Sequence, residues 1–200
     1  MWAFVLENNC KVELCITFIE RLNCSLSNKK KKCIVDCKGT GEGQSHYLTL
    51  LKAARSGDWK SAKNFIDSNP NALTARITKV GLQTVFHVAA ESCKWTIILE
   101  LLEIVSPESL AVQDADGNTV LHYVAHSGSL KIAKALLKKN YNLLEIVNDK
   151  GQLPLFCSIL SESKELVLYF TLETRVDDQS ALLKILEILI ESGYVGKNRQ

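Results

Sequence analysis

Apolar and small residues recur in a fixed arrangement along the middle of the chain. A short apolar stretch with small residues is followed by a Gly-type break and then by a second apolar stripe. Residues 130–137 carry a stripe spaced as one face of an α-helix. Its members are Leu130, Ile132, Ala133, Leu136 and Leu137. Two earlier segments carry similar stripes. One consists of Trp95, Ile97, Ile98, Leu101 and Leu102, and the other of Trp59, Ala62, Phe65 and Ile66. The pattern predicts helix pairs, repeated along the chain.

The spacing between the repeated segments is nearly constant. Thr119 lies 35 residues after Thr84, and Leu153 lies 34 residues after Thr119 in the same slot. In the earliest segment, Leu48 occupies the slot of Thr84 and Thr119. The four predicted units cover about residues 46–80, 81–115, 116–149 and 150–171. The chain is therefore expected to be a repeat protein rather than a domain with one central core.

Two histidines occupy matching places in the second and third units. His87 follows Thr84 by three residues, and His122 follows Thr119 in the same way. Each Thr stands at a predicted helix start, where its hydroxyl can cap free backbone N–H groups. No nucleophile or carboxylate recurs with these histidines in a catalytic arrangement. We therefore predict that Thr84, His87, Thr119 and His122 are structural and that His46 and His126 are exposed.

The motif T-x-L-H-x-A-A-x-x-G with this period resembles the ankyrin repeat, a turn followed by two helices. The resemblance implies an all-α solenoid of about four helix-turn-helix units plus a partial C-terminal unit. It also implies that the Thr–His pair links neighbouring units by hydrogen bonds. The end units depart from the motif: Leu48 and Leu51 replace Thr and His in the first, as Leu153 and Phe156 do in the fourth.

The glycine that ends the first helix of a unit is also replaced twice. Cys93 stands in this slot in the second unit and Glu162 in the fourth. A left-handed backbone there costs a residue with a side chain on the order of 1 kcal/mol. Both positions are predicted weak points.

Longer phrases resemble the plant ankyrin-repeat membrane proteins that carry a C-terminal PGG domain. The phrases lie at residues 50–90, 106–122 and 148–156, and the similarity extends over about residues 47–195. The resemblance implies a role in stress, defence or salt responses and, in relatives, membrane helices after the repeats. This sequence lacks that later region, so it resembles a truncated or alternatively built member whose membrane anchoring is not implied.

Two segments flank the repeats. Residues 1–45 form a non-repeat segment with the lysine run Lys29–Lys32 and a Gly-rich linker. The run can attract anionic lipid or an import receptor, or it is a solvated tail. In residues 172–200, Asp177, Asp178 and Ser180 can start an amphipathic helix that covers the open end of the fourth unit, as part of an incomplete further repeat.

Composition narrows the classes of function. Residues 46–200 hold 17 Lys/Arg and 17 Asp/Glu, so the repeats carry no basic stripe typical of nucleic-acid binding. Phosphate-loop, zinc-protease and nucleophile-elbow motifs are missing from the sequence, and so is a run of 18 apolar residues. The cysteine number is odd, at seven, and no secretory signal is evident, which favours a reducing cytoplasm. We expect no enzyme activity, cofactor, metal or membrane span.

The leading hypothesis is a monomeric protein-interaction scaffold with a concave face of first helices and projecting turns. A membrane-peripheral regulator, recruited by the lysine run or by a full-length relative on the cytoplasmic face, is the alternative. By the ankyrin resemblance, partner contacts fall on turn tips and first helices. The tip residues are Lys79, Gln83, Asp114, Asp116, Asn118, Asp149, Lys150 and Gln152, and the helix residues are Arg55, Ser56, Glu91, Ser92, His126 and Ser127.

Overall fold

A computed structural model describes residues 45–159, 161 and 163–174. This part of the chain contains α-helices and short 3-10 helices and no strand, which confirms the all-α prediction. The α-helices come in pairs, one pair for each predicted unit. They are α1 (Leu48–Ser56), α2 (Trp59–Ser68), α3 (Val85–Glu91), α4 (Trp95–Ile104), α5 (Val120–Ser127), α6 (Leu130–Lys139), α7 (Pro154–Ile159) and α8 (Lys164–Glu173).

The two helices of a pair are separated by a sharp break. Gly57 ends α1 and Gly128 ends α5, both in the left-handed conformation that a residue without Cβ adopts freely. Two of the second helices start on a side-chain cap. Before α2, the Asp58 carboxylate accepts the Ser61 N–H at 3.1 Å. Before α8, the Ser163 hydroxyl accepts the Leu166 N–H at 3.4 Å. The other two second helices, α4 and α6, start without such a cap.

The helices form two layers. The first helices α1, α3, α5 and α7 pack on one another in sequence order, and the second helices α2, α4, α6 and α8 do the same. Each apolar stripe packs between neighbours, as the periodicity predicts, and Ile98, Leu101 and Leu136 have no exposed surface. Four larger members at the stripe edges are partly buried: Trp59, Phe65, Trp95 and Leu130. One hydrophobic core continues through all four units. Each unit thus completes its core with residues from the next.

Short 3-10 helices follow three of the second helices, a feature that the periodicity did not predict. They span Pro70–Leu73, Pro107–Ala111 and Tyr141–Glu145. In the first two, proline supplies the fixed φ of a helix start and lacks an N–H that would be unsatisfied there. Leu110 and Leu143 are buried from these turns. The segments between units therefore extend the core.

The second unit has the left-handed backbone expected at one of the predicted weak points. Cys93 occupies the slot of Gly57 and Gly128 with φ of 54°. The Lys94 N–H still reaches the Ala89 carbonyl at 2.8 Å, so the reversal is kept at the cost of left-handed backbone on a cysteine. Glu162, the other such residue, lies outside the described residues.

Several predictions concern residues that the structure does not describe. They are the segment 1–44 with its lysine run and five cysteines, and the amphipathic helix after residue 174. In the described part of the chain, no helix combines the length and the apolar character that crossing a bilayer requires. The fourth unit's second helix continues to Glu173, beyond the expected boundary at residue 171.

Candidate functional site

His87 joins the second unit to the third. The Thr84 backbone N–H donates to His87 Nδ1 at 3.2 Å, and the Thr84 hydroxyl lies 2.8 Å from the same nitrogen. On the other side of the ring, Nε2 lies 3.0 Å from the carbonyl oxygen of Asn118. Because a carbonyl only accepts, Nε2 carries the proton and Nδ1 accepts. The ring therefore caps its own helix and binds the next unit.

His122 repeats this arrangement between the third and fourth units. Thr119 N–H donates to its Nδ1 at 3.1 Å, and the Thr119 hydroxyl lies 3.0 Å away. Nε2 donates to the Gln152 carbonyl at 3.1 Å. Both Thr–His pairs form the reciprocal capping arrangement at the helix start. Thr84, His87, Thr119 and His122 thus lie in hydrogen bonds that cap their helices, and the two histidines also link neighbouring units.

Burial keeps both rings neutral. Desolvation lowers the pKa of His87 from 6.5 to about 4, outweighing the hydrogen bond to Asn118, which raises it. The pKa of His122 is lowered for the same first reason, against an opposing hydrogen bond to Gln152. A neutral ring is what the arrangement requires, because protonated Nδ1 could not accept the Thr N–H. Neither ring faces a reacting group.

A second set of hydrogen bonds ties the turns together at their bases. Arg76 donates from Nη1 to the carbonyl of Leu82 in its own turn at 2.9 Å and to the carbonyl of Gln113 in the next unit. The Gln113 amide then donates to Gly117 at 2.6 Å and to Val147 in the following unit at 2.9 Å. Val147 has no side-chain donor to extend the series. These bonds fix the turns relative to one another.

The turn tips also touch through the backbone. Ala115 N–H donates to the Gly81 carbonyl at 2.8 Å, and Asp149 N–H donates to the Asp116 carbonyl at 3.1 Å. Gly117 is required at the second of these contacts. Its φ is 75°, and a Cβ there would lie 2.5 Å from the Asp149 backbone nitrogen. The three tips therefore form one continuous edge.

Two predicted contact residues are buried, and for them the expected exposure was wrong. Gln83 is 9% exposed and Asp114 is 8% exposed. The Gln83 amide donates to the hydroxyl of Tyr123 and to Glu91, both at 3.1 Å, while Tyr123 donates to Asp114 at 2.6 Å. Burial, followed by the hydrogen bond to Asp114, raises the pKa of Tyr123. Gln83 and Asp114 therefore join the second unit to Tyr123 of the third instead of facing solvent.

Asp114 has a further local role in its turn. Its Oδ1 accepts the backbone N–H groups of Asp116 at 2.9 Å and Asn118 at 2.8 Å. In the next unit Asn148 does the same for Lys150 and Gln152, both at 3.0 Å. A short side-chain oxygen that accepts from residues two and four positions later stabilises a turn. The sequence of these turns is typical of polar loops, yet their first residues, Asp114 and Asn148, are buried.

The turn at the start of the second unit exposes two apolar side chains that are not among the contact residues predicted from the sequence. Val80 is 80% exposed and Leu82 is 43% exposed. Leu82 has φ of 48°, whereas Gly117 and Gly151 occupy the comparable positions of the later turns. The sequence does contain a signal for these two side chains, because Val80 and Leu82 flank Gly81 in a segment that is otherwise polar. An exposed, strained leucine at a rigid tip is a candidate contact.

The family comparison agrees with this geometry. The family described as ankyrin repeats (3 copies) matches residues 50–143 and 86–180. The chain belongs to the ankyrin-repeat family. No curated protein matches the sequence.

A solved structure also resembles this ankyrin-repeat chain. One chain of the crystal structure of yeast ribosomal protein Rps3 in complex with its chaperone Yar1 matches with a TM-score of 0.58 and 25% identity. The match covers 66% of this chain and 94% of that chain. Ankyrin repeats are in general a non-catalytic interaction module, and their presence implies a protein partner.

The other predicted contact residues of the ankyrin units reach the surface to different degrees. Partner contact remains a prediction for all of them. Exposed positions are Ser56, Lys79, Glu91, Asp116, His126, Asp149 and Lys150, and partly buried positions are Arg55, Ser92, Asn118, Ser127 and Gln152. His46 is also exposed, with its ring 5.8 Å from that of Phe65. Within residues 45–159, 161 and 163–174, no cluster of His, Cys, Asp or Glu side chains could hold a metal ion.

Proposed function

We propose that this ankyrin-repeat chain is a non-catalytic scaffold or adaptor that binds a protein partner through its first helices and turn tips. The observation that carries the proposal is the hydrogen-bonded edge formed by Arg76, Gln113 and the tip backbones. It holds exposed side chains from successive units in one fixed surface. A preformed surface loses little conformational entropy on binding, which favours recognition of a partner.

The surface combines an apolar anchor with charged surroundings. Val80 and Leu82 supply the apolar contact, while Asp116, Asp149 and Lys150 stand exposed on the neighbouring tips. Binding energy at protein interfaces is concentrated in a few well-packed residues, and polar neighbours around them set specificity. The resemblance to a chain from a chaperone complex supports a role in holding another protein.

The sequence supports a proposed pathway and a proposed cellular compartment. The phrases shared with the plant ankyrin-repeat/PGG proteins support a role in stress or defence signalling. The odd number of cysteines supports action in the cytoplasm, where thiols stay reduced.

Affinity capture with the full chain as bait tests the proposal. Wild type is compared with a tip variant, Val80→Asp with Leu82→Asp, because aspartate removes the apolar contact yet tolerates left-handed backbone. The matched control carries Lys60→Glu and Lys131→Glu, two exposed positions on the second helices. Captured proteins are quantified by mass spectrometry against beads without bait.

We expect the proteins that wild type enriches to fall at least tenfold with the tip variant and to stay with the control. Circular dichroism confirms that all three baits are folded. A set of proteins lost equally from both variants, or no enrichment above bare beads, contradicts the proposed surface.

A further inference from the structure

One of the chain's three prolines follows a residue with a hydroxyl group. Pro70 follows an asparagine, Pro154 follows a leucine, and Pro107 follows Ser106. Ser106 is exposed, and its backbone is extended, with φ of −76° and ψ of 148°. Proline favours this conformation in the residue before it. Proline-directed protein kinases select a serine or threonine that is accessible, extended and followed by proline, and Ser106 meets all three conditions.

The Ser106 hydroxyl is not needed to hold the backbone between two units. At the same place after α2 and α6, the side chains of Asn69 and Asn140 bind backbone groups. The Asn69 amide donates to the carbonyl four residues earlier at 3.0 Å, and Asn140 Oδ1 accepts the N–H two residues later at 3.1 Å. The Ser106 hydroxyl caps no backbone N–H and lies 2.9 Å from the Ser109 hydroxyl at the surface. A group added to this oxygen therefore breaks no backbone hydrogen bond.

The end of α6 lies against the segment that Ser106 begins. The Asn140 amide, one residue after α6, donates to the Pro107 carbonyl at 2.8 Å. Lys139 is the last residue of α6 and is half-buried. Among the described residues, no carboxylate pairs with Lys139. A cation of the third unit without a counter-charge therefore lies next to the segment that contains Ser106.

The following junction shows where the Lys139 side chain points. There Glu173 of α8 places its Oε2 3.0 Å from the Tyr141 hydroxyl. Glu173 lies 34 residues after Lys139, and Tyr141 lies 34 residues after Pro107. Because the two junctions share this register, the Lys139 ammonium is directed at the start of the Ser106–Pro107 segment. The second and third units therefore meet at a cation in the place where the third and fourth units have an acid.

We propose that Ser106 is a phosphorylation site for a proline-directed protein kinase and that Lys139 binds the phosphate, which fastens the second unit to the third. Ser106 Oγ attacks the γ-phosphorus of ATP, the bond from that phosphorus to the bridging oxygen breaks, and ADP leaves. The hydroxyl proton passes to the catalytic aspartate of the kinase. The new group carries about two negative charges and three acceptor oxygens, which suit an ammonium ion. This inference goes beyond the proposed partner binding and does not depend on it.

Treatment of the folded full chain with ATP and a mitogen-activated protein kinase tests the acceptor. Pro107→Ala keeps the serine and removes the proline that the kinase selects. Pro70→Ala makes the same change in the corresponding 3-10 helix and serves as the control. Mass spectrometry should place one phosphate per chain on Ser106, at an initial rate at least tenfold lower in Pro107→Ala and unchanged in Pro70→Ala. The proposal is wrong if Ser106 stays unmodified, or if Pro107→Ala reacts as fast as wild type.

Phosphorus NMR of the phosphorylated chain tests the role of Lys139. A phosphoserine titrates at about pH 6, and a nearby ammonium lowers this midpoint because it favours the dianion. We expect Lys139→Gln to raise the midpoint by roughly 0.3 pH units or more. Lys131→Gln removes the same charge near the other end of α6 and should leave the midpoint unchanged. Equal midpoints in wild type and Lys139→Gln, or an equal shift in both variants, would overturn the proposal.

Discussion

The first unit and the two middle units attach to their neighbours in different ways. In the second and third units, His87 and His122 each bind a carbonyl of the following unit. In the first unit Leu51 stands where those histidines stand, only 2% exposed. An alkyl side chain donates no hydrogen bond, so α1 is held on α3 at this point by apolar packing.

The difference shows what the histidine adds. Apolar packing between helices tolerates side chains of similar shape. A histidine ring that must accept a hydrogen bond on Nδ1 and donate one from Nε2 fixes both the distance and the orientation between the two units. The middle of the stack is the part where successive turn tips also touch through the backbone. We infer that the histidine links keep the turns of the middle units in register, while the first unit needs only to cover one apolar face.

Removing both histidines should have the largest effect on this comparison. The double variant His87→Ala with His122→Ala leaves buried carbonyl and N–H groups unpaired, at about 1–2 kcal/mol per site and about 2–4 kcal/mol together. Urea denaturation measures the loss. The control is His126→Ala, because His126 is exposed on α5; its effect should stay within about 0.5 kcal/mol. A double variant as stable as wild type would contradict the role assigned to the rings.

Acid should weaken the middle units through the same rings. The pKa of His87 is about 4 in the folded chain against 6.5 as its ordinary value. Because the folded pKa is lowered, its stabilising contribution is complete above pH 6.5 and is lost as pH falls toward 4. The full shift corresponds to on the order of 3 kcal/mol, and His122 adds in the same direction.

The measurement is the free energy of unfolding at several pH values between 7 and 4. Wild type should lose stability faster than the variant His87→Ala with His122→Ala, which lacks the groups that titrate. Parallel curves for the two proteins would mean that other groups cause the acid sensitivity.

The turn tips offer a matched pair of glycines. Gly117 and Gly151 both have positive φ, at 75° and 69°, so alanine costs about 1 kcal/mol at either position. A Cβ at Gly117 would also meet the Asp149 backbone nitrogen, whereas nothing lies within 4 Å of one at Gly151. We expect Gly117→Ala to cost about 1–2 kcal/mol more than Gly151→Ala in thermal unfolding. Equal losses would mean that the tips do not touch.

The smallest expected change is a gain. Cys93→Gly relieves left-handed strain in the second unit, and the greater freedom of glycine in the unfolded chain offsets part of it. The net increase should be about 0.5–1 kcal/mol, visible as a higher midpoint of thermal unfolding. Cys157→Ser, at a half-buried cysteine of α7 without positive φ, serves as a control that should show no gain.

Much of the fold follows from local patterns in the sequence. The apolar stripes, the paired helices and the Thr–His caps each depend on residues within one unit, so their spacing is enough to predict them. The 3-10 helices after Asn69 and Ser106 are harder, because their place depends on how Ala72 and Leu110 enter a core made largely by other elements.

The candidate site is less predictable for a related reason. Gln83 looks like a polar tip residue until Tyr123, 40 residues later, is placed within 3.1 Å of it. Asp114 likewise takes its internal role from Tyr123 and from its own turn. Contacts between units decide which polar residues are internal, and the sequence of a single unit does not contain that information.

The central claim is that His87 and His122 are neutral linkers between units, and nitrogen NMR of the imidazole rings tests it most directly. Both rings should show the tautomer protonated at Nε2 at pH 7, and His87 should stay neutral until the pH approaches 4. A ring protonated at Nδ1, or a titration of both rings near pH 6.5 like that of an exposed histidine, would contradict the account.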